Sequence, residues 1–158
     1  MTAPLLAREQ LAQQLERLRA RGALRVVLAN GCFDLLHVGH VRYLEDARSR
    51  GDLLVVALNS DASVRGNKGP GRPLIPLAER AEIVGALRAV DFVTSFDEAT
   101  LEATLRCLRP AVHAKGSDYT VENVPEAAVD RELCIEIAIC GDAKHHSSSE
   151  LLRRRVQP

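Results

Sequence analysis

Leu53-Leu54-Val55-Val56-Ala57-Leu58 is apolar without a single polar break. Such a run reads as a buried strand of a sheet covered on both faces. Val26-Val27-Leu28, Phe92–Phe96, Ala111–Ala114 and Ile135–Cys140 read as further strands. Helical patterns lie between them: Val41 to Arg48, Leu77 to Leu87 behind Pro76, and Glu98 to Leu108 stopped by Pro110. Ser148 to Arg155 reads as a closing helix. Strands separated by helices predict one α/β domain over residues 23–158, a parallel sheet flanked by helices with right-handed crossovers. Leu11, Leu15 and Leu18 fall at helical spacing before the stop signal Gly22, so residues 1–22 are expected as an N-terminal helix packed on the domain edge. Ligands of such sheets sit beyond the carboxyl ends of the strands, near a switch in strand order.

The charges cancel at 21 basic and 21 acidic residues, which argues against a general polyanion-binding surface. Aromatic residues, at 3%, are too scarce for a single-stranded nucleic-acid stacking platform. No apolar stretch approaches the roughly 20 residues that cross a bilayer. The start, Met1-Thr2-Ala3-Pro4-Leu5-Leu6, lacks the basic and apolar regions of an export signal, so a cytoplasmic chain is expected, free of nucleic acid and membrane. Cys32, Cys107, Cys134 and Cys140 show no close pairing and read as reduced thiols, not a protein-held metal site. His145 and His146 do not change this, because adjacent histidines at a helix start point apart.

The chemistry concentrates in Asn30-Gly31-Cys32-Phe33-Asp34-Leu35-Leu36-His37-Val38-Gly39-His40. A strand runs into a glycine-bearing turn and then a helix start. Backbone N–H groups and the positive end of the helix dipole there form an anion site. Two imidazoles in that place point to phosphate chemistry, since imidazolium donates to charge building on a phosphoryl oxygen.

Three more clusters follow predicted strands. Asn59-Ser60-Asp61 precedes a basic, glycine-rich stretch, Val64 to Pro73, that holds Lys68 and Arg72 and reads as a loop able to close over phosphates. Lys115-Gly116-Ser117-Asp118-Tyr119 follows the Val112 strand. Ordinary turn chemistry accounts for the Asn59 and Lys115 clusters equally well. Ser147, Ser148 and Ser149 open the last helix, where hydroxyls and N–H groups can hold phosphate oxygens as well as cap.

The run from Gly31 to His40 resembles the HxGH signature, with its preceding G-x-F-D, of the nucleotidyltransferase superfamily. That superfamily contains cytidylyltransferases, pantetheine-phosphate and nicotinamide-nucleotide adenylyltransferases, and class I aminoacyl-tRNA synthetases. The resemblance implies a Rossmann-like fold and transfer of a nucleoside monophosphate with release of pyrophosphate. It implies that His37, His40 and Lys68 are catalytic. Gly31, Cys32, Phe33, Asp34, Gly39, Lys115, Gly116, Asp118 and the three serines would bind the nucleotide, Asp34 also orienting an imidazole or lying near a metal. The serines are similar to the superfamily's Ile-Ser-Ser-Thr signature. Leu152 stands where many members place an arginine, and Arg153 follows one residue later. Mg²⁺ would arrive with the triphosphate, and a homodimer is implied.

Asn59 to Val64, Lys68 to Pro73 and Val112 to Tyr119 resemble the branch that makes ADP-heptose from ATP and heptose 1-phosphate, often the second half of a fused kinase–adenylyltransferase. Asn59, Asp61, Arg72, Arg80 and Arg88 would then bind the phosphorylated acceptor. Arg88-Ala89-Val90-Asp91 is instead similar to CTP-dependent enzymes acting on glycerol 3-phosphate or ethanolamine phosphate. A nucleotide-binding module without chemistry is the reading from another class; intact His37, His40 and Lys68 argue against it.

Overall fold

The computed structural model describes residues 2–142. In chain order the elements are α1 (Arg8–Arg19), β1 (Val26–Gly31), α2 (Val38–Ser49), β2 (Leu53–Asn59), α3 (Asp61–Lys68), α4 (Leu77–Gly85), β3 (Phe92–Phe96), α5 (Glu102–Leu108), β4 (Val112–Gly116), α6 (Ala127–Glu132) and β5 (Glu136–Cys140). The sheet has the order β3-β2-β1-β4-β5 and every pair is parallel. This is the parallel α/β architecture that the alternating runs predict, and it is Rossmann-like, as the resemblance implies.

Burial on both faces explains the unbroken apolar strands. Val27, Ala29, Leu54, Val56 and Leu58 pack beneath α2 and α4, with Leu44, Ala47 and Val84. Val26, Leu28, Leu53, Val55 and Ala57 face the other way, toward Leu11 and Leu15 of α1 and Leu105 and Leu108 of α5. The chain ahead of α1 runs along the outer strand: Leu6 donates to the Val93 carbonyl and Val93 donates to Pro4. These bonds cover what would be an open sheet edge.

Two helices and several boundaries depart from the sequence reading; residues 2–7, expected within the N-terminal helix, precede α1 and are held beside β3 through Pro4 and Leu6. Val64 to Lys68, expected in a loop, completes α3; the Ser60 hydroxyl caps it by accepting the Ser63 N–H, and Gly69 at φ 91° ends it. The short α6 was not expected. Residues 98–101, expected in a helix, precede α5, because the Leu101 N–H is drawn to the Glu126 carboxylate and Glu98 to Arg8. The expected closing helix, Ser148 to Arg155, lies outside the described residues.

Candidate active site

The chain fills β1, β2 and β3 on one side before returning to place β4 and β5 on the other, so strand order reverses between β1 and β4. A cavity of about 560 Å³ opens there, at the carboxyl edge. One wall is the start of α2 with His37, Gly39 and His40; the other is formed by Thr100, Leu101 and Glu126. Gly31, Cys32, Phe33, Asn59 and Lys68 line it from the β1 and β2 side, and Lys115, Gly116 and Asp118 from β4.

The histidine wall is built from backbone geometry upward. Phe33 sits at φ 47°, in the left-handed region, which folds its ring back over Gly31. A Cβ on Gly31 would stand 2.9 Å from that ring, so only glycine fits. Phe33 in turn backs His40 at a centroid distance of 5.0 Å, and His40 stacks on His37 at 3.9 Å. The His37 backbone N–H donates to His40 Nδ1 at 3.3 Å. A backbone amide can only donate, so Nδ1 accepts and the neutral ring carries its proton on Nε2. Burial, with help from His37 and Lys68, holds the His40 imidazole down to about 4. His40 is therefore a neutral Nε2–H donor at the α2 N-terminus.

Cations complete the site. Lys68, at the end of α3, makes no ion pair or hydrogen bond among the described residues. Lys115 is buried, 3.4 Å from both Asn30 Oδ1 and Glu126 Oε2 and 4.6 Å from the Tyr119 ring centroid. Beneath the floor, Asp130 holds His113 Nδ1 at 2.9 Å, and His113 Nε2 lies 3.4 Å from the same Asn30 oxygen. No thiol nucleophile is offered: burial holds the Cys32 thiol above its ordinary range, although Lys68 and Arg80 oppose it.

A family described as cytidylyltransferase-like matches residues 28–154, a span that contains every element of this cavity. The chain belongs to that family. Among curated relatives, the bifunctional protein HldE of Syntrophotalea carbinolica is 55% identical over 126 residues, covering 80% of this chain and 25% of its own. HldE of Azotobacter vinelandii is 43% identical over 155 residues, covering 98% of this chain and 32% of its own. The chain thus spans a quarter to a third of the length of these relatives. The crystal structure of the lipopolysaccharide core biosynthesis protein from Thermoplasma volcanium superposes with a TM-score of 0.66 at 25% identity, covering 77% of this chain and all of that one.

In this cytidylyltransferase-like chain several polar residues expected at a ligand are occupied elsewhere. Burial pushes the Asp34 carboxyl up, but the Ile75 and Leu74 N–H groups and the Arg72 guanidinium outweigh it and hold it below its ordinary range. Arg72 Nε lies 2.6 Å from Asp34. Asp34 and Arg72 together clamp the loop before α4, outside the cavity lining. Arg80 is fully buried and binds Asp61 together with three backbone carbonyls. Arg88 has a 97% exposed side chain and faces Glu45 at 3.9 Å. Ser147, Ser148 and Ser149 lie outside the described residues. The sequence reading missed Thr100 and Glu126 in the lining and gave Asn30, although within its central stretch, no ligand role.

His40 gives the family fold a pH signature. Its pKa is depressed from 6.5 to about 4 on folding, so the unfolded chain takes up a proton first as pH falls. The stability it contributes is complete at neutral pH and is lost between about 6.5 and 4, by at most about 3 kcal/mol. The Asp34 contribution, from a depressed carboxylate, is lost only below the ordinary value of 3.8. Urea unfolding from pH 7 to 4.5 should show wild type losing stability faster than His40→Gln; parallel curves would contradict the assignment.

Proposed function

We propose that this chain transfers AMP from ATP to heptose 1-phosphate, forming ADP-heptose and releasing pyrophosphate. The observation that carries the reading is the stacked His37–His40 pair at the α2 N-terminus, facing one cavity with Lys68 and Lys115. Similarity to the HldE proteins across most of the chain supports the heptose branch. A phosphate oxygen of the acceptor attacks the α-phosphorus, the α–β bridging bond breaks, and pyrophosphate leaves with the bonding electrons. Such transfer needs alignment and charge neutralisation more than a protein nucleophile. His40 Nε2–H and His37 donate to the crowded α-phosphate, while Lys68 neutralises the phosphates beside it. Gly31, Cys32, Phe33 and Gly39 let the phosphates approach the turn, and Gly116 and Asp118 serve the nucleoside. Ser147, Ser148 and Ser149 would hold the β–γ end.

Mg²⁺, arriving with the triphosphate, would supply charge neutralisation when bound. Both Asp34 oxygens are engaged by Arg72, Leu74 and Ile75, which fits an ion held by phosphate oxygens and water. The Arg88–Asp91 segment gives little support to a CTP-dependent reading. Arg88 is exposed, and Asp91 accepts the Leu54 N–H and pairs with Arg48.

The test is a matrix of ATP or CTP against heptose 1-phosphate, glycerol 3-phosphate and ethanolamine phosphate, read as pyrophosphate release. ATP with heptose 1-phosphate should be fastest. Faster turnover of CTP with either of the other acceptors would overturn the proposal, and silence in every cell would favour a module without chemistry.

A further inference from the structure

The wall opposite the histidines carries a buried carboxylate, Glu126, that has no part in the transfer described above and is paired with Lys115. Glu126 is only 4% exposed, yet it lines the cavity. One of its oxygens accepts the Leu101 N–H at 3.1 Å, and the other stands 3.4 Å from Lys115 Nζ. Charge-assisted N–H···O bonds close to about 2.7–2.9 Å. This pair is held apart, because Lys115 is also shared with Asn30 Oδ1 at 3.4 Å and lies over the Tyr119 ring. A carboxylate has about four acceptor positions and an ammonium three donors, so both retain capacity.

A group that donates and accepts at once fits between them: a hydroxyl can donate to Glu126 and accept from Lys115. A second phosphate would meet the Glu126 charge. An ammonium would gain Glu126 but meet Lys115 beside it. Resting on the transferase reading, we infer that Glu126 is a specificity-determining residue, its carboxylate reading one hydroxyl on the uncharged, polyhydroxylated end of the acceptor phosphate. The acceptor's phosphate then points toward His37 and His40 while its hydroxylated end reaches the Leu101–Glu126 wall. A site built to bond a hydroxyl discriminates strongly against the analogue lacking it, since its own polar groups are left unpaired.

Glu126→Gln tests this, because glutamine keeps an oxygen for the Leu101 N–H and removes the charge. The full chain is assayed for pyrophosphate release with ATP, heptose 1-phosphate and its monodeoxy analogues. ATP affinity by calorimetry and the unfolding midpoint are measured alongside. Wild type should reject one deoxy analogue by about 10²-fold in kcat/KM. The variant should raise the KM for heptose 1-phosphate about tenfold or more and lose most of that discrimination, with ATP affinity unchanged. Unchanged KM and unchanged discrimination would overturn the inference and leave the transferase reading intact. Loss of ATP binding and of folding stability together with acceptor binding would also overturn it, in favour of a purely structural role. A variant that does not fold is replaced by Glu126→Asp, which keeps the charge, shortens the reach, and is read by the same two criteria. Wild type inactive with every sugar phosphate would overturn the transferase reading and the inference with it.

Discussion

Replacing His40 with alanine should lower kcat for pyrophosphate release by about 10²–10³, or roughly 3–4 kcal/mol of transition-state stabilisation. The argument starts from protonation. The His37 N–H occupies His40 Nδ1, so the only proton of the neutral ring is on Nε2. Desolvation keeps this ring neutral, and a bound triphosphate supplies negative charge that strengthens the donor as the α-phosphorus becomes crowded. Such a contact is worth more in the transition state than in the ground state. The loss should therefore fall on kcat, with the KM for ATP moving much less. His40→Gln, which can place an amide N–H nearby, should recover part of the loss. Near-normal pyrophosphate release by a folded His40→Ala protein would remove the central role given to this side chain.

The sheet was legible because its physics is local. Leu53 to Leu58 announces two-sided burial by composition alone, and Val26 to Leu28 followed by Asn30-Gly31 announces a strand that must turn. The cavity's histidine wall was legible for the same reason: the residues that build it are contiguous. The helix α3 was hidden by Gly66, Gly69 and Gly71, which make its neighbourhood look like a loop although Ser60 caps it. Glu126 was hidden because its partners, Leu101 and Lys115, are brought to it only by the fold of β4, α5 and α6. Arg72, Arg80 and Asp34 illustrate a different limit. Sequence shows that a charged residue is near a site but not whether a ligand or the protein itself satisfies it. Here the protein satisfies all three.

Arg80→Ala should cost about 3–5 kcal/mol of folding stability, the range for breaking a buried charge network by removing one partner. The guanidinium is 0% exposed. Its Nε donates to the Ile75 carbonyl at 2.9 Å, and its Nη1 to those of Cys32 at 2.7 Å and Asn59 at 2.8 Å. Its Nη2 meets Asp61 at 2.6 Å. One side chain thereby joins the end of β1, the end of β2, the start of α3 and the loop before α4. The Asp61 contact contributes least, because that carboxylate is 39% exposed and water can replace its partner. The larger cost is in the carbonyls, which lose their donor inside the protein. Lysine offers a point charge where a rigid fork is needed, so Arg80→Lys should also destabilise the fold. Because Cys32 and Asn59 line the cavity, it should depress kcat as well. Arg88→Ala is the control: eight residues on, 97% exposed and 3.9 Å from its acid, it should stay within about 0.5 kcal/mol of wild type. Urea unfolding of the three variants measures the contrast, and an Arg80→Ala protein as stable as the Arg88→Ala one would refute the hub.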